Sequence, residues 1–191
     1  MKKLFLFIIL LGQMWAQSKP YQKFLDFMNT PGGRILEIEF YQEQNGERYE
    51  SNGTFYYMGK HHYTFDAHDQ RMTYNRGDLT TINKLGKQVI LDSAIPGDVT
   101  IFDILTGEND AVEVGEPLLE KSGFRIPFTL SEWDINGKIM TNHGSGQPRE
   151  IIMRLSPSSE IRIQILSAEP LGNRAVGEID LSEYETIDLR E

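Results

Sequence analysis

Between Gly53 and Asp92 the chain alternates apolar and polar residues over such short runs, separated by such regular turn signals, that a series of antiparallel strands is the only simple solution. In Tyr63-Thr64-Phe65 the aromatic rings fall on odd positions, while His62, Thr64, Asp66 and His68 share the other parity. Met72 and Tyr74 repeat this pattern against Arg71, Thr73 and Asn75. Turns fit at Met58-Gly59-Lys60, Ala67-His68-Asp69, Asn75-Arg76-Gly77-Asp78 and Leu85-Gly86-Lys87. The stretch is therefore a meander with one apolar, aromatic face and one wet face.

The neighbouring segments extend the sheet and supply something to cover it. Upstream, Leu36, Ile38 and Phe40 alternate with Glu37, Glu39 and Tyr41, and Asn45-Gly46 turns the chain into a partner strand running from Glu47 toward Met58. Downstream, Ile101, Ile104 and Leu105 stand at i, i+3, i+4, with Asp98 as the expected N-cap and Gly107 just past the end. This predicts a short helix from Asp98 to Thr106, placed to lie over the open face. A second helix is predicted over Tyr21 to Asn29, with Phe24, Leu25 and Met28 as its stripe, ended by Thr30-Pro31-Gly32-Gly33. Three later strands are expected around Phe124–Leu130, Glu150–Leu155 and Ile161–Ile165, with Pro127 marking an edge or a bulge. Asn142 to Pro148 is glycine-rich and is expected to be a plain surface loop. The expected fold is mainly β, one antiparallel sheet of about ten strands with two helices, whose curled face needs filling.

The first residues are expected to stand apart from that fold. Lys2-Lys3, an apolar run from Leu4 to Leu11, and the small-residue exit at Ala16-Gln17-Ser18 are the pattern of a secretory signal peptide, residues 1–16, cut after Ala16. The run is shorter than the roughly 20 apolar residues of a spanning helix, which disfavours an uncleaved anchor. The remaining 175 of 191 residues, 17–191, suit a single domain. Two lysines leave with the leader, taking the net charge from −9 to −11, and no basic cluster exceeds a pair, so nucleic acid is not an expected partner. With no cysteine there are no disulfides, no thiol chemistry and no lipid attachment at a cysteine.

Reactive constellations are weakly supported. His61 and His62 are adjacent on a strand and point to opposite faces, so they do not share a metal; His62, Asp66 and His68 share a parity, but a turn near Ala67 breaks that face. Gly144-Ser145-Gly146 lacks the strand-turn-helix setting of a nucleophile elbow. No catalytic residue, cofactor or metal is assigned, and the chain is not expected to be an enzyme.

The order of these segments resembles the LolA family of periplasmic lipoprotein carriers. The resemblance rests on the N-terminal helix, the long Asn-Gly hairpin, and the strand opening Gly53-Thr54-Phe55-Tyr56-Tyr57. It continues through the turn with Lys60, Tyr74-Asn75-Arg76-Gly77-Asp78, the pair Ile151-Ile152-Met153-Arg154-Leu155 and Ile161-Arg162-Ile163-Gln164-Ile165, and the closing Glu185-Thr186-Ile187-Asp188-Leu189-Arg190. It implies an unclosed β half-barrel lidded by helices, whose cavity shelters the acyl chains of lipoproteins crossing the periplasm. It implies as partners an inner-membrane lipoprotein-releasing ABC transporter and an outer-membrane acceptor, with the carrier a monomer. The inward parity then gives the expected lipid cavity, Leu36, Ile38, Phe40, Phe55, Tyr57, Tyr63, Phe65, Met72 and Tyr74, and Ile101, Ile104 and Leu105 become the lid. Well-studied members carry an Arg-Pro at the turn after the first Gly-aromatic strand, which ties the sheet to the lid; here the turn reads Met58-Gly59-Lys60, and Lys60 has the charge without the planar fork. The competing reading is a periplasmic sensor or adaptor that uses the same half-barrel to bind a lipid or protein without delivering it.

Overall fold

The computed structural model describes residues 18–190 apart from 96, 108 and 109, so the expected leader lies outside the described residues. Helix α1 (Lys19–Met28) is followed by six strands in sequence: β1 (Arg34–Gln44), β2 (Glu47–Gly59), β3 (His62–Ala67), β4 (Gln70–Asn75), β5 (Asp78–Asn83) and β6 (Gln88–Ser93). After helix α2 (Ile101–Thr106) come β7 (Glu113–Val114), β8 (Leu118–Glu120), β9 (Gly123–Leu130), β10 (Ile135–Thr141), β11 (Pro148–Ser156), β12 (Ser159–Pro170) and β13 (Glu185–Asp188). All thirteen strands belong to one sheet, ordered β13-β6-β5-β4-β3-β2-β1-β12-β11-β10-β9-β7, with β8 also on β9. The sheet is unclosed and curls around its helices.

The meander pairs its inward residues with one another across the strands. Phe55 faces Phe65, which faces Met72; Tyr57 faces Tyr63, which faces Tyr74. Two of the hairpin turns, Asn45-Gly46 between β1 and β2 (φ 53° and 84°) and Arg76-Gly77 between β4 and β5 (φ 53° and 99°), use a pair of residues in the left-handed region, as tight two-residue hairpins require. Pro127 sits where the far side of β9 is interrupted, because β7 pairs at Thr129 and Phe128 and β8 begins only at Arg125. The missing N–H of proline therefore costs no ladder bond there.

Four expectations need correction. The helix over the concave face begins at Ile101, three residues beyond Asp98, because Thr100 is the better cap: its hydroxyl accepts from the Asp103 N–H (3.2 Å) while its own N–H donates to the Asp103 carboxylate (2.7 Å), a reciprocal capping box. Helix α1 begins two residues earlier than predicted, since Pro20 is tolerated in the first turn, and it buries Tyr21, Phe24 and Met28 while Leu25 stays half-exposed. The loop at 142–148 is not a plain surface loop. Gly146 (φ 73°) lies against α1, where a Cβ would fall 2.3 Å from the Lys23 carbonyl oxygen.

The fourth correction concerns one edge of the sheet, where a single pairing is parallel while all the others are antiparallel. The chain leaves β12 beside β1, and β13 joins β6 in parallel. The connecting residues 171–184 cross the convex face to get there. The distance is about seven strand spacings of 4.8 Å, or roughly 34 Å, and fourteen extended residues reach up to about 46–50 Å. The crossing is marked by Arg71, whose guanidinium donates to the Gly177 carbonyl (2.6 Å), and by an ion pair between Lys87 and Glu183. Under this strap the outward side chains Thr64, Arg71, Ile82 and Val89 are buried, which is unusual for the wet parity of a half-barrel.

Candidate functional site

The site is the concave face, and it is built from the inward parity of β1 to β4 on one flank and β9 to β12 on the other. All nine residues predicted to line it do lie on that face: Leu36, Ile38, Phe55, Tyr57, Tyr63 and Phe65 are buried, and Phe40, Met72 and Tyr74 are half-buried against them. Opposite them stand Ile126, Phe128, Leu130, Ile139, Ile151, Met153 and Ile163, all buried. Of the described buried polar side chains, Thr141 and Ser159 share the inward parity of the sheet and Thr106 lies on α2.

Helix α2 occupies this concavity. Ile101, Ile104 and Leu105, the predicted lid residues, are buried, and the helix packs against β11 and β12. Phe102 is the residue that the spacing argument missed. Its ring stacks on Phe55 (centroids 5.2 Å apart, planes 10° apart) and on Phe40 (6.2 Å), and it lies tilted against Phe65 (5.5 Å) and Tyr63 (5.7 Å). One side chain thus joins β1, β2 and β3, the aromatic centre of the meander, to the helix. A signal for it existed: four of the six helical residues are apolar, and a helix apolar nearly all round is one that is surrounded. Beyond the helix, Gly107 takes the left-handed conformation (φ 70°) directly against Leu25 of α1, where a Cβ would fall 2.2 Å from a Leu25 methyl, so the two helices meet at that glycine.

A cationic tie between sheet and helices exists, at a position other than the β2–β3 turn. Lys60 is exposed in that turn. Arg34, at the start of β1, reaches the C-terminal end of α1 instead: its Nε donates to the Phe27 carbonyl (2.7 Å), Nη2 donates to the Thr30 hydroxyl (2.8 Å), and the guanidinium lies 3.8 Å over the Phe27 ring. Burial pulls the Arg34 pKa below its ordinary value without removing the charge. The Tyr57 hydroxyl adds a bond to Asn29 Oδ1 (2.8 Å) at the same helix end. A cation there also complements the negative end of the helix dipole.

One rim of the concave face is polar. Tyr49 stands edge-on to Phe40, its hydroxyl donates to Asp69 (2.8 Å) and accepts from Gln70 (3.1 Å), and the Ser51 hydroxyl also reaches Asp69 (3.3 Å). Burial, reinforced by the Asp69 carboxylate, raises the Tyr49 pKa and keeps the phenol protonated. On the convex side, Asp66 is not the solvated position that its parity suggested. Its carboxylate bonds Arg71 (2.6 Å) and Lys84 (2.8 Å), and Lys84 also reaches the Ala67 carbonyl. Burial alone would raise the Asp66 pKa, but the two cations outweigh it and hold it below the ordinary carboxylate value. Asp66 is therefore committed to a structural cluster under the strap. Among the described residues no group of three histidine or acidic side chains is placed to hold a metal.

No family model and no curated protein matches the sequence. Solved structures do. An uncharacterised conserved protein from Thermus thermophilus superposes with a TM-score of 0.53 at 7% identity, covering 88% of this chain and 98% of that one. A LolA superfamily protein from Nitrosomonas europaea gives 0.45 at 10% identity, over 83% and 93% of the two chains. A domain assigned to outer membrane lipoprotein sorting from Vibrio parahaemolyticus gives 0.47 at 7% identity, over 86% and 95%. At such identities the likeness is one of fold. The curled, unclosed sheet with short helices against its concave face is the architecture that the resemblance in the sequence implied.

Proposed function

We propose that this protein is a non-catalytic carrier that shelters the acyl chains of lipoproteins against its concave face while they cross the periplasm toward the outer membrane. The observation that carries the reading is the seat of α2: six residues, four of them apolar, sit inside the aromatic concavity, beside Tyr21, Phe24 and Met28 of α1. A helix of that length has almost no stability of its own and is held by tertiary contact. Another apolar body can replace it at little net cost, because each methylene gains about 0.8 kcal/mol on leaving water whether the surface it meets is a membrane, a helix or a sheet. A carrier needs that near-balance, and it needs no reactive group.

By the same resemblance its partners are a lipoprotein-releasing transporter in the inner membrane and an acceptor in the outer membrane. The test is mass spectrometry of the protein purified from the periplasm of its host, together with titration of a diacylated lipopeptide and its unacylated twin. The carrier reading expects a mixture of acylated proteins to co-purify and only the acylated peptide to bind. A single fixed partner, bound equally with or without acyl chains, would favour the sensor or adaptor instead.

A further inference from the structure

Away from the concave face, the convex side carries a second concavity of about 630 Å³ over the middle of the sheet, where β12, β1 and β2 lie side by side and the β3–β4 turn closes one end. That volume falls in the range of roughly 300–1,000 Å³ usual for small-molecule sites. Its lining is mostly polar: Glu39, Glu50, Asn52, His68, Arg162 and Gln164, with the Tyr41 ring beside them and Phe40, Ser51 and Asp69 at its edge. We propose that this groove binds a neutral saccharide.

Three features lead there. First, five of those side chains, Glu39, Glu50, Asn52, His68 and Gln164, make no side-chain hydrogen bond or ion pair with any described residue, although their neighbours on the same face are paired, Glu37 with Thr54 and Tyr41 with Glu43. Planar carboxylates and amides present two acceptors, or a donor and an acceptor, side by side, which suits adjacent hydroxyl groups. Second, the floor is fixed in advance. Glu160 bonds Arg162 (3.0 Å) and holds its guanidinium 5.0 Å over the Tyr41 ring, and Arg154 pins Glu160 from the other side (3.2 Å). A donor held flat in this way loses little freedom on binding. Third, the charge selects. Glu39 and Glu50 stand without a cation of their own, since Arg162 is already matched by Glu160, so an anionic ligand such as a phosphate or a uronic acid is repelled while a polyhydroxylated neutral one is not.

Most of the lining faces away from α2, while Phe40, Ser51 and Asp69 belong to the rim of the concave face; separate readouts for saccharide and for acylated peptide keep this inference distinct from the carrier reading. The experiment is NMR or calorimetric titration of the full chain with cellotriose, maltotriose and chitotriose up to about 10 mM, and with trigalacturonate as the charged control. At least one neutral trisaccharide should bind and trigalacturonate should not. Asn52→Ala and Gln164→Ala, both at exposed positions, should weaken that binding about tenfold or more while leaving the melting temperature and the affinity for an acylated peptide unchanged. Failure of every neutral sugar to bind, equal binding of trigalacturonate, or binding indifferent to both substitutions would overturn the proposal.

Discussion

Replacing Phe102 by alanine tests whether α2 is a plug that yields to cargo or a permanent part of the core. The ring is only 3% exposed and touches four aromatic rings of β1 to β3, so its loss should cost about 3–5 kcal/mol of the contact between helix and sheet. The six-residue helix has no reserve to absorb this. If docked helix and acyl chain compete for the same surface and the docked form prevails, even 3 kcal/mol raises the open share about 150-fold, and acyl affinity rises with it until the open form dominates. Two measurements on one protein decide the matter: urea denaturation for stability, and titration with a fluorescent acylated peptide for affinity. Leu105→Ala, at an equally buried position of the same helix, should move both in the same directions by about 2–5 kcal/mol of destabilisation. Val89→Ala, buried on the convex side beneath the strap, should lower stability and leave affinity alone. A large loss of stability in Phe102→Ala with unchanged or weaker acyl binding would refute the exchange of helix for cargo.

Other substitutions probe the supports. Asp66→Asn removes the negative charge and one of the two oxygens that accept from Arg71 and Lys84, and should destabilise the fold by about 1–3 kcal/mol at neutral pH. Because the folded Asp66 pKa is depressed, its contribution is complete above the ordinary carboxylate value and fades as pH falls through the lower, folded one; the gap between wild type and mutant, followed by denaturation across pH 7 to 2, should close only at the acid end. Arg34→Ala should loosen α1 by a similar amount, seen as faster amide exchange in Phe24 to Met28 with the β2–β3 amides unchanged, whereas Lys60→Ala should have no such effect. Gly146→Val should lower the melting temperature sharply, since the added carbons meet the α1 backbone at a left-handed φ.

What the sequence disclosed and what it hid follow from the range of the interactions involved. Strand parity has a period of two residues and is written locally, so the nine inward side chains from Leu36 to Tyr74 could be assigned without knowing their partners. The stripe rule for α2 assumed a helix with one wet face. It therefore found Ile101, Ile104 and Leu105 and passed over Phe102, which is buried only because the sheet curls around the helix. Thr100 and Asp98 are both good caps in isolation, and the choice fell to the one with an acidic residue three positions on. Residues 171–184 carry no periodicity, so the strap was invisible, and with it the reason why Asp66 and Arg71, on a parity that should be wet, are withdrawn from water. Arg34 could be recognised as a tie only once the end of α1 was placed within its reach.

The sheet is thus covered on both faces by short segments, and the chemistry of each cover determines which one can be exchanged. The strap is held at particular atoms: the Gly177 carbonyl on Arg71, Glu183 on Lys87, and the main-chain ladder of β13 on β6. An acyl chain offers none of these groups. Displacing the strap with one would leave the Arg71 guanidinium short of an acceptor in a buried setting, at a cost of about 1–3 kcal/mol or more for that bond alone. Helix α2 is held by Ile101, Phe102, Ile104 and Leu105 against apolar walls, contacts that are non-directional and scale with area. A fatty acyl chain reproduces them without needing to match any atom. The capping box of Thr100 and Asp103 lies within the helical segment itself and can travel with it, so undocking α2 breaks no bond of that cap. On the proposed carrier role, the cover to be traded for an acyl chain at nearly constant free energy is the one on the concave side, which lies over the face where the inward aromatic residues converge.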